Sequence, residues 1–392
     1  MRGYVNGGII ISKDKRIVLI GSRGIPANYG GFETFAEGLA TRMVKEGYDI
    51  TVTCEYEPSE SRTDSYKGVK LIHFPVKPPE NYFLRKFYEN LSDIYFLLKL
   101  SRRFDIIYFL GIEVGFFLFI PKILNRNISL MVNIDGVMWK RTKFNILERW
   151  LLKLNHIFAT IFADKIILDA RNMWNYVSES RREKTVFIPY GVEEIEEVPW
   201  DPKKLRALSD RNPLIERIKK NDYWLVVARL EPENNIHVII EGFLKSNSTR
   251  PLVIVGDPTS ERYKGLLNEV ICNNEDKVIF IGAIYDNKLL NMLRCHCFAY
   301  IHGHSVGGTN PSLIEAMSMK NLVLAHDNEF NREVCGNTAF YFDKDNIDSI
   351  MRFIEDLHPY KIYSLKEKAH RRVFSIYSWD NILLRYKKEF GV

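Results

Sequence analysis

Short apolar runs alternate with amphipathic stretches along most of this chain. The first apolar run, residues 16–20, leads through a glycine-rich loop into apolar residues at helical spacing from Phe32 to Val44. A second predicted strand at residues 49–54 completes a strand–helix–strand unit, which is typical of a parallel sheet. Further strands are predicted at residues 69–74, 106–110, 129–134, 165–168 and 185–188.

The alternation is interrupted once, between Glu193 and Asp222. This segment is first acidic, then rich in proline and basic residues, and it has no strand pattern. After it, strands are predicted at residues 223–228, 251–255, 277–281, 297–301, 321–325 and 339–342, and helices at 236–245, 287–294 and 311–319. The pattern predicts an α/β protein with two doubly wound Rossmann-like domains, residues 1–197 and 198–376, with helix 377–392 packing on the first. We expect ligands at the carboxyl ends of the strands, which face each other across a cleft.

Composition adds a basic, aromatic stretch to this picture. The 392 residues are 46% hydrophobic and 27% charged, as in a folded domain, and the net charge is +6. From Lys77 to Arg149 there are twelve lysines and arginines against seven acidic residues, interleaved with aromatic side chains. This pattern fits anionic lipid headgroups, nucleic acid, a phosphorylated acceptor or a solvated basic face.

The chain shows neither a secretory signal nor an apolar run of the roughly 18 residues that a spanning helix needs. We therefore expect a cytoplasmic protein, either soluble or peripheral on the inner face of the plasma membrane, with no nucleic-acid partner.

The five cysteines are odd in number and irregularly spaced, which favours a reducing compartment. Cys295, His296 and Cys297, with His302 and His304 nearby, resemble a metal site. However, Cys295 ends a predicted helix and Cys297 begins a predicted strand, so their side chains should diverge. No metal is expected.

The strongest local signal is the segment 302–316, which joins a predicted strand to a predicted helix. Gly307 and Gly308 let backbone amides approach an anion, and Pro311 suits the first helical turn. Glu315 lies about one turn into the helix, where its carboxylate can accept hydrogen bonds from ribose hydroxyls. The segment therefore predicts a diphosphate-binding loop, with a plain glycine-rich connection as the alternative.

Arg229 follows the first strand of the second domain. At the carboxyl end of a parallel strand, its guanidinium can neutralise a leaving diphosphate through paired donors. A surface arginine is the alternative interpretation.

Gly30 and Gly31 precede the first amphipathic helix, and Arg23 lies in the same loop. Their amides and charge would reach the ligand from the first domain. The loop fits neither the dinucleotide-binding nor the P-loop pattern, so nicotinamide and ATP lose their main support. A structural turn is the alternative.

The segment 133–141 carries a fourth constellation. Asp135 can orient or deprotonate an acceptor hydroxyl, Trp139 can stack on a sugar ring, and Lys140 or Arg141 can hold a phosphate. An ordinary Asp–Gly turn after a strand explains the same residues.

Together these segments resemble glycosyltransferase family 4, and within it a bacterial subfamily of rhamnosyltransferases. The resemblance is carried by residues 24–34, 133–136, 139–141, 188–191, 228–236 and 302–317. It implies a GT-B fold, a nucleotide-diphosphate sugar as donor, no metal or other cofactor, and transfer with retention of anomeric configuration.

The resemblance also assigns roles to residues. Arg229 would bind the donor diphosphate as a catalytic residue, Glu315 the ribose, and Ile284 would lie near the base. The remaining donor residues would be Arg23, Gly30, Gly31, His304, Ser305, Val306, Gly307, Gly308, Thr309 and Asn310. Asp135 would be the second catalytic residue, and the predicted acceptor site comprises Tyr29, Glu33, Asp135, Trp139, Lys140 and Arg141.

Two positions depart from the family pattern. Gly307 stands where many members have a glutamate, and Asn234 stands where many have a lysine. We interpret both as altered sugar recognition. The resemblance favours dTDP-rhamnose as donor, followed by UDP-glucose or UDP-N-acetylglucosamine, and a lipid-diphosphate-linked sugar or oligosaccharide as acceptor in bacterial surface polysaccharide synthesis.

Two other interpretations remain open. One is a different GT-B enzyme, an epimerase or a phosphorylase, although neither needs the basic aromatic stretch. The other is a degenerate transferase that serves as a scaffold or binding protein, which the changes at Gly307 and Asn234 support.

Overall fold

The computed structural model describes residues 15–27, 30–134, 136–141 and 144–391. The chain divides into two compact units, Met1–Gly191 with Trp379–Val392, and Val192–Ser378. The chain passes from the first unit to the second after Gly191 and returns after Ser378. The predicted boundaries were after residues 197 and 376.

The first unit is built on an eight-stranded sheet in the order β3-β4-β2-β1-β5-β6-β7-β8. All neighbouring strands are parallel except β3, which pairs antiparallel with β4. The strands are β1 (Arg16–Ile20), β2 (Asp49–Cys54), β3 (Ser65–Tyr66), β4 (Val69–His73), β5 (Ile106–Leu110), β6 (Ser129–Asn133), β7 (Lys165–Leu168) and β8 (Thr185–Phe187). The central strands are buried throughout, as expected where helices cover both faces.

The helices of this unit are α1 (Gly31–Lys45), α2 (Tyr82–Leu100), α3 (Phe119–Leu124) and α4 (Ile146–Phe162). Shorter 3₁₀ segments lie at Gly115–Leu118, Met138–Lys140, Arg171–Tyr176 and Glu179–Lys184. The connection through α1 runs toward one edge of the sheet, whereas those through α2, α3 and α4 run toward the other. Because parallel crossovers are right-handed, α1 lies on one face of the sheet and α2, α3 and α4 lie on the opposite face.

The second unit is a six-stranded, fully parallel sheet in the order β11-β10-β9-β12-β13-β14. Its strands are β9 (Trp224–Val227), β10 (Leu252–Val255), β11 (Val278–Gly282), β12 (Ala299–His302), β13 (Val323–His326) and β14 (Ala339–Phe342). Its helices are α5 (Pro202–Arg206), α6 (Ile236–Ser246), α7 (Glu261–Ile271), α8 (Asn287–Cys295), α9 (Pro311–Ser318), α10 (Glu329–Cys335), α11 (Ile347–Glu355) and α12 (Pro359–Tyr377), and 3₁₀ segments lie at Pro213–Arg217 and Pro232–Asn234. The core holds Trp224, Phe243 and Phe342, all fully buried.

The last helix, α13 (Trp379–Phe390), belongs to the first unit. The Tyr386 hydroxyl is hydrogen-bonded to that of Tyr108 on β5 at 2.8 Å, and both side chains are buried. The Arg42 guanidinium of α1 lies over the Trp379 ring at 4.5 Å. Helix α13 therefore shares the α1 face of the sheet.

Among the residues that the structure describes, no helix combines the length and apolar character needed to cross a bilayer.

Candidate active site

Arg229 stands two residues beyond β9, a central strand of the second sheet. Its backbone is fixed, because the carbonyl accepts from the Asn234 side-chain amide at 2.7 Å and the next N–H, of Leu230, donates to the Asp257 carbonyl at 3.0 Å. The Arg229 side chain is nevertheless 57% exposed, and its nearest carboxylate, Glu231, lies at 3.8 Å. The strand end thus presents an accessible guanidinium on a fixed backbone.

Asn234 links this strand end to the loop after β12. Its amide nitrogen donates to the Arg229 carbonyl, so its Oδ1 is the atom that faces His304, 2.8 Å from the imidazole Nδ1. Nδ1 must therefore carry the hydrogen of that bond, because an amide oxygen can only accept. The position where the family often has lysine is used here to orient an imidazole.

The loop 303–310 is also fixed from the Pro232–Asn234 turn. Both the backbone N–H and the hydroxyl of Ser305 donate to the Glu233 carbonyl at 2.9 Å, and the Asn235 amide donates to the Gly303 carbonyl at 2.8 Å. A side chain on Gly303 would overlap the Asn234 carbonyl, so only glycine permits this close approach.

On its other side, the same loop is attached to the start of α10. The amides of Asn328 and Asn331 both donate to the His304 carbonyl, at 3.0 and 2.9 Å. The asparagines at these positions gave no recognisable signal in the sequence. The loop is therefore preorganised from two neighbouring connections before any ligand arrives.

The rest of the loop leads into the N-terminus of α9. Val306, Gly308 and the buried Thr309 lie here, and Gly307 has a positive φ of 121°. The Asn310 side chain accepts from the Ser312 N–H at 3.0 Å, and Pro311 is the first helical residue. The partial positive charge of this helix start favours an anion.

Glu315, inside α9, forms an ion pair that the sequence did not reveal. Its Oε2 lies 2.6 Å from Nη2 of Arg294 on α8, whose side chain is only 5% exposed, whereas that of Glu315 is 32% exposed. Arg294 therefore orients the carboxylate while leaving it accessible. Within α8, Arg294 is buried together with Met292 and Leu293, and a buried arginine needs an acidic partner.

Ile284 is half-exposed in the connection after β11. The preceding residue, Ala283, donates its N–H to the Asp257 carboxylate at 3.1 Å and accepts from Arg211 at 3.1 Å. The segment predicted to lie near the base is thus fixed at the carboxyl ends of β10 and β11.

In the first unit, Gly30 precedes α1 with φ 98° and Gly31 begins that helix. Glu33 is buried, and its Oε1 accepts from the Arg23 N–H at 3.0 Å. Burial raises the pKa of the Glu33 carboxyl above its usual range despite this hydrogen bond. The Glu33 side chain therefore holds the loop from within, although sequence reasoning assigned it to the acceptor.

Arg23 is surrounded by carboxylates. Its guanidinium lies 2.8 Å from Glu89 on α2 and 3.6 Å from Glu55, and Arg85 binds the second oxygen of Glu55 at 2.6 Å. The predicted donor ligand Arg23 thus has two carboxylate partners within its own unit, whereas Arg229 is paired with Glu231 at 3.8 Å.

The predicted acceptor residues after β6 pack against α4. The Trp139 ring lies 4.4 Å from that of His156, and Lys140 donates to the Tyr176 hydroxyl at 2.8 Å. Arg141 is half-buried. Asp135 and Tyr29 lie outside the described residues, so their predicted roles stay predictions.

The residues considered for a metal site do not form one. Cys295 ends α8, and β12 begins two residues after Cys297. His302 is buried, and burial lowers its pKa to about 3. In the described part of the chain, no three His, Cys, Asp or Glu side chains are arranged to hold a metal ion.

Residues 210–370, which contain Arg229, the 303–310 loop and Glu315, match the family "Glycosyl transferases group 1". The second unit is therefore similar to a glycosyltransferase family, over less than half of the chain. Residues 14–193 match a second family, described as "Domain of unknown function (DUF1972)".

A curated protein similar to this chain is the O-antigen chain mannosyltransferase RfbU of Salmonella typhimurium, 27% identical over 150 residues. The match spans 38% of this chain and 42% of the relative's length. The relative is named a mannosyltransferase, not a rhamnosyltransferase.

Solved structures confirm the predicted GT-B fold. Anabaena HepE in complex with UDP-glucose superimposes with a TM-score of 0.73 at 15% identity, covering 96% of this chain and 99% of HepE. Sucrose-phosphate synthase of Thermosynechococcus elongatus gives 0.74 at 16% identity, covering 96% and 98%. At such identities the likeness concerns the fold alone.

Proposed function

We propose that this protein transfers a glycosyl unit from a nucleoside diphosphate sugar to a saccharide acceptor, with retention of configuration and without a metal ion. The observation that carries the proposal is the accessible Arg229 guanidinium at the end of β9, beside a loop fixed by neighbouring connections. A departing diphosphate needs such a cation and oriented N–H groups where its charge develops.

Each part of the site has a role in this reaction. Arg229 would bind the diphosphate, and the 305–310 amides with the α9 N-terminus would complete its coordination. Glu315, oriented by Arg294, would accept hydrogen bonds from the ribose hydroxyls. The half-exposed Ile284 would lie against the base.

In the chemical step, the bond between the anomeric carbon and the diphosphate oxygen breaks while the acceptor hydroxyl bonds to the same face of the sugar. The hydroxyl proton passes to a diphosphate oxygen. Arg229 stabilises the growing charge, so we expect its removal to lower kcat rather than only to raise KM.

Three kinds of donor sugar have support. Resemblance favours dTDP-rhamnose, the curated relative is a mannosyltransferase, and HepE binds UDP-glucose. The acceptor we propose is a lipid-diphosphate-linked sugar or oligosaccharide of a bacterial surface polysaccharide, in keeping with the O-antigen relative.

The proposal is tested by thermal stabilisation with a panel of nucleotide sugars in the presence of EDTA. The panel contains dTDP-rhamnose, UDP-glucose, UDP-N-acetylglucosamine and an activated mannose. We expect one donor to raise the melting temperature of the wild type but not of Arg229→Ala. The control is Arg262→Ala, an exposed arginine on α7.

An unchanged melting temperature with every donor would contradict the transferase function. Stabilisation by a donor without turnover on any acceptor would instead identify a binding protein.

A further inference from the structure

Helices α2, α3 and α4 form one layer on the face of the first sheet opposite α1. Lys86 of α2 contacts Glu148 of α4 at 2.9 Å. Phe116, just before α3, packs edge-on against Phe158 of α4 with ring centroids 5.1 Å apart. The outer surfaces of these helices are therefore neighbours, and we call them the α2–α4 layer.

This layer exposes far more apolar surface than the rest of the described chain. Thirteen of the 21 exposed large apolar side chains in the described residues lie between residues 84 and 161. Helix α2 contributes Leu84, Phe87, Leu91 and Leu98, which recur at helical spacing along one side.

Helix α4 carries the longest exposed stripe. It consists of Ile146, Leu147, Trp150, Leu151, Ile157 and Ile161. Spacings of three and four residues from Ile146 to Leu151, and of four from Ile157 to Ile161, keep these side chains on one side of a helix about 25 Å long, with six residues from Leu151 to Ile157. A typical monomer exposes such residues singly, so a stripe along the length of a helix marks an interaction surface.

The most exposed charges of the layer are basic. Eight lysines and arginines between residues 84 and 162 are exposed, whereas every acidic side chain in the described part of this segment is at least half-buried. Glu148 is paired with Lys86. Arg149 and Lys153 lie one turn apart on α4 beside Trp150, so cations border the apolar stripe.

We infer that the α2–α4 layer binds the surface of an anionic lipid bilayer, with the α4 stripe entering the headgroup region. An apolar helix face with tryptophan and bordering cations is the composition of interfacial membrane-binding helices. Nucleic acid would match the cations but would leave the aliphatic stripe exposed to water. A second copy of the chain would bring like charges together.

The test is flotation of the full-length protein with vesicles, without nucleotide sugar. We expect binding to phosphatidylglycerol–phosphatidylcholine vesicles and weak binding to pure phosphatidylcholine. Leu147→Gln/Trp150→Gln, at side chains 66% and 57% exposed, should weaken binding at least about tenfold without lowering the melting temperature. Lys153→Gln should weaken it roughly fivefold.

The matched control is Tyr360→Gln/Tyr363→Gln on α12 of the second unit, where the side chains are 75% and 63% exposed. It should bind vesicles as the wild type does. Absence of binding to both vesicle types overturns the inference, as does equal loss of binding in the control. Sedimentation that shows dimers abolished by Leu147→Gln/Trp150→Gln, with no vesicle binding, would replace the bilayer with a second copy. Since no sugar donor is present, these outcomes are independent of the proposed transferase function.

Discussion

The carboxyl ends of the two sheets are organised by different kinds of contact. In the second unit, neutral hydrogen bonds from asparagine and serine side chains fix the connections after β9, β12 and β13, and Arg229 is paired with Glu231 only at the longer distance of 3.8 Å. In the first unit, Arg23 and Arg85 are neutralised by Glu55 and Glu89.

This difference distinguishes an anion-binding end from a charge-balanced one. A cation that already has carboxylate partners gains little from a diphosphate, because it must exchange one anion for another. A cation on a backbone fixed by neutral groups, with a carboxylate only at 3.8 Å, keeps more of its charge for the ligand. We therefore expect binding of the donor diphosphate to depend mainly on side chains of the second unit.

Two arginine variants test this contrast most strongly. Arg229→Ala should lower kcat by about 10²–10³-fold, since a preorganised donor to the developing charge is lost. Arg23→Ala should change kcat less than about fivefold, because its guanidinium is bound to Glu89 and Glu55. Steady-state transfer assays measure kcat for both variants. Similar decreases in kcat would contradict the proposed difference between the two arginines.

The ion pair beneath the proposed ribose site gives a smaller effect. Glu315→Ala should reduce the free energy of unfolding by about 2 kcal/mol, because a donor of the buried Arg294 loses its carboxylate acceptor. Arg294→Met/Glu315→Gln should recover much of this stability without restoring donor affinity. Urea unfolding and donor titration separate the two effects. A fully stable Glu315→Ala protein would show that Arg294 finds other partners.

The two units should also respond to acid through buried histidines. Burial lowers the pKa of His302 to about 3 and that of His156 to about 4, whereas an unfolded histidine titrates near 6.5. The contribution of each histidine to the free energy of unfolding is therefore fully present above about pH 6.5. It falls by about 1.4 kcal/mol per pH unit as the pH decreases toward the folded pKa. His302→Gln should flatten this dependence in the second unit, and His156→Gln in the first, as followed by hydrogen exchange. A slope unaltered by either variant would contradict this assignment.

The smallest effect concerns the orientation of His304. Asn234→Ala removes both the acceptor for Nδ1 and the donor to the Arg229 carbonyl, and we expect a roughly tenfold higher donor KM with kcat nearly unchanged, the loss of two hydrogen bonds. Asn274→Ala, at a surface turn, is the control. A kcat that falls with the KM unchanged would place His304 in the chemical step instead.

The fold could be predicted because its signals are local. Apolar runs such as residues 106–110 and helix starts such as Pro311 gave nearly the observed strand and helix bounds. The contacts that fix the site were not predictable in this way. The bonds from Asn328 and Asn331 to His304, and from Arg294 to Glu315, join positions that only the folded sheet brings together.

Ion pairs between distant residues also could not be predicted from the sequence. Arg23 was assigned to the donor from its place in a loop, but its partner Glu89 lies on a helix 66 residues later, which no spacing rule connects. Glu33 was assigned to the acceptor site, and its buried carboxylate accepts from the Arg23 backbone N–H. Composition, by contrast, already indicated the basic aromatic stretch that becomes the α2–α4 layer.

The return of α13 to the first unit has a consequence for biosynthesis. Tyr386 and Phe390 are buried against Tyr108, so the core of the first unit is completed by residues that follow the whole second unit in the chain. The second unit, Val192–Ser378, is synthesised whole before α13. On a translating ribosome the second unit can therefore finish folding first, while the first unit, most of which was made earlier, waits for α13.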